Sequence, residues 1–341
     1  MACSNCGEGQ LSFYMQCYGF DDSRERFDLF RCSSCGLVST YPLLSPQQLS
    51  NYYHSDYYGG ERDKEKTAAK FHPWIESLVK LANASRSRLA IRYLDKSSGS
   101  QSSLARKYQF LDVGCGRGTF ISSLAKEGHS CVGTEIAEFQ SEPQANVAIL
   151  RGTLEDLQLP SSSFDGVWIW HVLEHTTDPQ STMRAISRVL RPGGVVAIAV
   201  PHFGSWQRSL FGRHWFHLDL PRHQYHFTIP VLVKILKENQ LEPISIRTLS
   251  WEQNLFGGIQ SFQNWLFYRH HPNGLYAILK RDRKSIPKSG WAGWFLPIVY
   301  LSLATISIPF AFFETILSAI FDRGATLIIH ASRQGEDSKM P

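Results

Sequence analysis

Residues 109–118 read QFLDVGCGRG: a short apolar run, a carboxylate at its end, then glycines at 114, 116 and 118. An apolar run that breaks into glycines and continues as a helix from about Thr119 marks a tight strand-to-helix turn. The same alternation persists downstream. Strands are expected at Ser130–Thr134, Val147–Leu150, Gly166–Trp170, Val195–Val200 and Ile244–Leu249. Helices are expected at Ser181–Leu190, stopped by Pro192-Gly193-Gly194, and from Thr228 to about Asn239. Strands alternating with helices predict an α/β fold, a Rossmann-like doubly wound sheet that is mostly parallel. Ligands of such a sheet lie at the C-terminal ends of its strands.

The glycine spacing also restricts the ligand. A dinucleotide fingerprint, G-x-G-x-x-G, requires glycine at 119, where this chain has Thr119. Asp112 at the strand end would repel a pyrophosphate but suits a cation such as a sulfonium. Glu135 closes the next strand, 21 residues after Gly114, the place from which a carboxylate reaches ribose hydroxyls.

LDVGCGRG followed by VGTE resembles the first two motifs of class I S-adenosylmethionine-dependent methyltransferases. The stretch LEDLQLPSSSFDGVWIWHVLEHTTDP and the later VLRPGGVVAIAVPH are similar to the same family through its fourth and fifth strands. The resemblance implies S-adenosyl-L-methionine as cofactor. Asp112, Gly114, Gly116 and Gly118 would line its methionine half, Glu135 would hold the ribose, and Ile136 and Leu154 would lie against adenine. Many relatives carry Asp where this chain has Thr153, and Asp156 is the alternative polar contact. The resemblance further implies an antiparallel last strand, matched by Ala325–His330.

Cys3-x2-Cys6 and Cys32-x2-Cys35 form two CxxC knuckles separated by 25 residues, each followed by glycine. Four thiolates in this spacing suit a structural, tetrahedral Zn²⁺ in a zinc-ribbon-like module. The remaining cysteines, Cys17, Cys115 and Cys131, have no such pairing. The expected organisation is a zinc-ribbon-like module over 1–45, an aromatic and helical connector over 46–106, a methyltransferase domain over 107–250 plus 325–333, and an insertion over 251–324. The connector, together with DLPRHQYHFT, resembles a subgroup linked with modification of sugars or surface glycans.

Methyl transfer depends mainly on in-line placement, and a base helps where the acceptor must lose a proton. His171 follows the fourth strand and His202 the fifth, so both are expected at the ligand end of the sheet, with His223 as a third candidate. His202, His214, His217, His223 and His226, with Trp206, Trp215, Phe216 and Arg222, suggest an acceptor-binding flap.

The insertion has an unusual composition. Residues 291–321 carry one charge, Glu314, and follow Lys280–Lys288, with five basic residues and one acidic. Pro309 divides the apolar run, and the strand after it must rejoin the sheet. These features predict a hydrophobic helical hairpin lying in a membrane interface; a buried helix pair, an oligomer interface or a true membrane span are the alternatives. A net charge of +5 gives no reason to expect a nucleic-acid partner. The first ten residues have neither a basic n-region nor an apolar h-region, which points to the cytoplasm, with peripheral or monotopic attachment to the inner face of the membrane. The expected function is methyl transfer to a glycan, isoprenoid or lipid-linked small-molecule acceptor. The alternative is a non-catalytic cofactor-binding regulatory or scaffold protein at the membrane.

Overall fold

The computed structural model describes residues 3–19, 25–52, 73–97, 106–136, 146–267, 272–280 and 291–335. The connector's aromatic residues Tyr53, Tyr57 and Tyr58, its serine-rich stretch from 98 to 103 and the basic stretch from 281 to 288 lie outside these residues. Along the chain the elements are β1 (Leu11–Tyr18), β2 (Arg26–Cys32), β3 (Val38–Tyr41), α1 (Pro46–Ser50), α2 (Pro73–Ser97), β4 (Gln109–Val113), α3 (Thr119–Lys126), β5 (Ser130–Glu135) and β6 (Val147–Arg151). They continue as β7 (Phe164–Trp170), α4 (Pro179–Val189), β8 (Leu190–Pro201), α5 (Trp206–Phe211), β9 (Tyr225–His226), α6 (Ile229–Glu238), β10 (Leu241–Arg247), α7 (Trp251–Phe267), α8 (Gly274–Leu279), α9 (Trp291–Ile320) and β11 (Thr326–Arg333).

The chain divides into two compact units. The first comprises Met1–Ser77, Pro201–Ile229 and Arg247–Leu327, and the second Leu78–Val200, Pro230–Ile246 and Ile328–Pro341. The second carries the expected Rossmann-like sheet, seven strands in the order β10-β11-β8-β7-β4-β5-β6. β4 to β8 pair in parallel where they are neighbours. Their near-continuous apolar runs follow from helices covering both faces. Phe110, Ile121, Leu124, Cys131, Trp168, Val195 and Ala197 form one core cluster. Asp178 caps α4 by accepting from the Ser181 N–H at 3.0 Å, and Pro179 opens that helix, as the Asp-Pro dipeptide suggests.

The first unit is organised differently from the expected module boundaries. The CxxC hairpin is not a separate 1–45 module. Its sheet runs β1-β2-β3-β9, and β9 comes from the histidine-rich segment after β8. Val38 pairs with His226 and Ser39 with Tyr225. Trp215, Leu218 and Leu220 then pack on Phe27, Leu29 and Val38. The expected flap is thus largely interior. Large apolar residues at 215, 218 and 220 bury their surface against the hairpin, which is too small to form a core alone.

The apolar run is also corrected. It is one continuous helix, α9, with Pro297 and Pro309 inside it, not a hairpin broken at Pro309. A proline inside a helix costs about 3 kcal/mol, mostly through one lost hydrogen bond and a local clash. Packing along the rest of the helix offsets that. Tyr300 and Ala311 bury against Ile259 of α7 and Leu275 of α8. Gln263 donates to the Tyr300 carbonyl at 2.9 Å, and Gln207 donates to Glu314 at 2.8 Å. The single charge of the run is therefore held against the protein.

Candidate functional site

The glycine loop adopts a conformation that side chains tolerate poorly. Gly114, Gly116 and Gly118 have φ of 70°, 53° and 68°. At Gly114 a Cβ would also lie 2.5 Å from Val172 Cγ2, so both space and backbone require glycine there. The loop is fastened to the next strand. Cys115 N–H donates to the Thr134 carbonyl at 3.0 Å. Glu135 ends β5 with one carboxylate oxygen accepting from Gly116 N–H at 2.9 Å and the other from Ile136 N–H at 2.8 Å. Two backbone donors fix the carboxylate against the loop.

Asp112 is only 6% exposed. Burial, and then the negative charge of Glu135, push its carboxyl up to about 8. Two carboxyl groups held in one low-dielectric cradle favour a cationic ligand. Leu154 is buried, whereas Ile136 is 55% exposed and presents apolar surface beside the Glu135 carboxylate. Thr153 donates to Asp156 at 2.7 Å, so Asp156 is tied to the position that departs from the family pattern. All seven expected cofactor residues belong to the second unit: Asp112, the three glycines, Glu135 and Ile136 lie at or after the ends of β4 and β5, and Leu154 follows β6.

The three histidines differ in kind. His171 directly follows β7 with φ 53° and anchors by donating its N–H to the Ala199 carbonyl at 2.8 Å. Its Nδ1 lies 3.2 Å from Oε1 of the fully buried Glu174, and its Nε2 has no hydrogen-bond partner. The ring is thus oriented by a carboxylate at one nitrogen, and its other nitrogen is shielded from solvent without a hydrogen-bond partner. His202 is buried, with Nδ1 3.0 Å from the Gly324 carbonyl. Burial lowers its pKa to about 4, so it is neutral at pH 7 and a weak base. His223 is buried, with Nδ1 2.9 Å from the His217 carbonyl and Nε2 3.7 Å from Asp219. His171 belongs to the second unit, and His202 and His223 to the first.

Two neighbours of the His171 segment escape a reading of motifs. Glu174 pairs with His171; the signal is the His-x-x-Glu spacing in HVLEH. Arg86, on the helix read as a connector, lies over the Trp170 ring at 4.1 Å, next to His171. Burial lowers its pKa to about 10, which still leaves it cationic.

In the first unit the four cysteines converge. Cys3 and Cys35 Sγ are 3.7 Å apart, Cys6 and Cys32 Sγ 3.6 Å, and all four lie within 4.8 Å of one another. Zn–S bonds of about 2.3 Å at tetrahedral angles put sulfurs about 3.8 Å apart. The donor set and its spacing therefore fit Zn²⁺. Gly7 and Gly36, each following a knuckle, have φ of 72° and 75° and turn the chain around the cluster.

Residues 111–198 match the family described as methyltransferase domain, and the second unit carries a class I methyltransferase domain with the Rossmann-like fold. Among curated proteins the chain is 35% identical over 118 residues to a ubiquinone biosynthesis O-methyltransferase of Pseudomonas fluorescens, covering 32% of this chain and 48% of that protein. It is 28% identical over 152 residues to the enzyme of the same name from Acinetobacter baylyi, covering 40% and 62%. The chain thus spans less than two thirds of the length of these relatives. Among solved structures, a putative sarcosine dimethylglycine methyltransferase from Galdieria sulphuraria aligns with a TM-score of 0.47 at 14% identity, covering 84% of this chain and 98% of that one. The 1,6-didemethyltoxoflavin-N1-methyltransferase of Burkholderia thailandensis aligns with a TM-score of 0.44 at 14% identity, covering 95% and 100%.

Proposed function

We propose that the protein transfers a methyl group from S-adenosylmethionine to a small, lipid-linked or glycan acceptor at a membrane surface, with a structural zinc in its first unit. The observation that carries the reading is the Glu135 carboxylate, clamped by the Gly116 and Ile136 N–H groups beside a triple-glycine loop. The residues fit the cofactor: Glu135 presents a fixed carboxylate to ribose hydroxyls, Asp112 offers a carboxyl to the cationic half, and Ile136 offers apolar surface to a base. The cofactor supplies an activated methyl group, so the protein needs to position the acceptor and, for a hydroxyl, remove its proton. His171 is suited to that proton transfer through its unengaged Nε2, with Glu174 fixing the ring. Cys3, Cys6, Cys32 and Cys35 would hold zinc with four protein thiolates and no open position, which is a structural role.

The pH dependence of cofactor binding tests the cradle. Asp112 is protonated below about 8, and a nearby sulfonium favours its ionised form. The complex then holds fewer protons than the free protein, so affinity rises as pH approaches about 8 and levels off above it, where the free carboxyl is already ionised. S-Adenosylhomocysteine, which lacks the sulfonium, is expected to show a smaller rise. Calorimetry in two buffers of different ionisation enthalpy reads the proton release. Equal pH dependence for the two ligands would remove Asp112 from the cationic subsite.

Membrane attachment rests on how α9 distributes its residues. The helix is apolar over Phe295–Ile320, with mean hydropathy 1.9, and only 11% of its most apolar window is buried. The stripe that is fully covered carries Tyr300, Thr315 and Ser318, while Ile306, Phe310 and Phe313 are 66%, 76% and 64% exposed. Polar residues inward and large apolar residues outward is the reverse of a soluble amphipathic helix. Exposed apolar surface costs roughly 25 cal/mol per Å² in water, which a lipid interface removes. The intact protein is expected to float with anionic phospholipid vesicles, and Phe310→Glu/Phe313→Glu to remain in the soluble fraction. Folded wild-type protein that stays unbound at low salt would contradict this attachment.

A further inference from the structure

Within the first unit lies a cleft of about 210 Å³, below the roughly 300–1,000 Å³ typical of drug-sized ligands. Arg31, Arg208 and Arg323 line it together with Tyr14, Phe203 and Thr228, and no carboxylate does. The arginines come from three distant segments: β2, α5 and the turn between α9 and β11. Among the described residues none of the three forms a salt bridge.

Arg208 is held by other means. Its guanidinium carbon sits 4.4 Å from the Phe203 ring centroid and 4.9 Å from that of Tyr14. It donates to the Tyr14 hydroxyl, and its Nε is shielded from solvent without a partner. The Ser205 side chain caps α5 by accepting from Arg208 N–H at 3.1 Å. Arg323 is fixed by donating to the Gly204 carbonyl at 3.1 Å, while its own carbonyl accepts from Trp206 N–H at 2.9 Å. Two of the three cations are therefore pre-ordered. Like charges gathered without a counter-charge repel one another, and Arg208 is in addition half-buried.

We propose that this cleft is a binding site for a phosphoryl group, a phosphate or diphosphate ester. Three guanidiniums exceed what a single carboxylate neutralises, and the planar fork of arginine matches phosphoryl oxygens. The cleft adjoins the end of the apolar helix. Arg323 follows α9 by three residues, and Phe321 packs on Trp206 with ring centroids 5.6 Å apart. The phosphoryl group thus belongs either to a phospholipid headgroup or to a water-soluble ester. The site does not depend on the methyl-transfer reading.

The test uses the full chain and inorganic pyrophosphate in calorimetry, with Arg31→Gln/Arg323→Gln as the variant because both side chains are exposed. Wild-type protein is expected to bind pyrophosphate saturably, and the double variant about tenfold or more weakly, as expected for losing hydrogen bonds to charged groups. S-Adenosylmethionine affinity should be equal in the two proteins, which reports an intact fold and keeps this test separate from the cofactor reading. No saturable pyrophosphate binding, or equal binding by the double variant, overturns the proposal. Vesicles containing phosphatidic acid distinguish the sources: displacement of pyrophosphate by them assigns a headgroup site, and arginine-dependent pyrophosphate binding without displacement assigns a soluble phosphoryl ester.

Discussion

Protein purified without chelator is expected to carry one zinc ion per chain, and Cys32→Ser to lose it along with the fold of the β1-β2-β3-β9 sheet. Cys3, Cys32 and Cys35 are buried and Cys6 is half-buried, with sulfurs at tetrahedral spacing. Structural zinc contributes about 10–16 kcal/mol of binding free energy in small zinc-finger peptides, which is of the order of a whole domain's stability. The effect should spread beyond the hairpin. Phe27, Leu29 and Val38 share a core with Trp215, Leu218 and Leu220, so an unpaired hairpin exposes that segment too. Elemental analysis gives the metal content, and tryptophan emission reports exposure of the fully buried Trp215. Metal-free protein with an unchanged thermal transition would show that the four thiols are merely reduced neighbours.

His171→Ala is expected to lower turnover by about 10²–10⁴, the range of a positioned general base, with little change in cofactor affinity. The ring is set by two constraints: the backbone hydrogen bond to Ala199 and the Glu174 carboxylate at 3.2 Å. Glu174→Gln keeps a polar partner but removes its charge. It should give a smaller loss than His171→Ala, with cofactor affinity unchanged. Turnover is read as S-adenosylhomocysteine formed with an acceptor-containing extract of membranes and cytosol. If His171→Ala stays within a factor of two of wild type, placement alone accounts for the rate.

The sheet of the second unit was legible because buried parallel strands are short apolar runs punctuated by glycine and helix caps. The strand read from residue 109 and the helix read from Thr119 begin where β4 and α3 do. The candidate carboxylates Asp112 and Glu135 were legible from their place at strand ends. The first unit was not, because its sheet joins residues nearly 190 positions apart, Val38 and His226, and two-residue β9 carries no periodicity. The single helix α9 was also hidden. Proline in the middle of a run reads as a break, yet the packing on α7 and α8 that carries the helix through it is tertiary. Arg86 escaped notice because stacking on Trp170, unlike a ligand motif, has no fixed spacing.

The most direct measurement of the account is equilibrium binding of S-adenosylmethionine to the full chain and to Glu135→Ala. Glu135 holds the loop through Gly116 and is the only carboxylate assigned to the ribose. The account predicts one saturable site per chain, weakened by about 1.5–3 kcal/mol in the variant, the scale of a hydrogen bond to a charged group. Absence of binding to the folded wild-type protein, or equal affinity in the two, would contradict it.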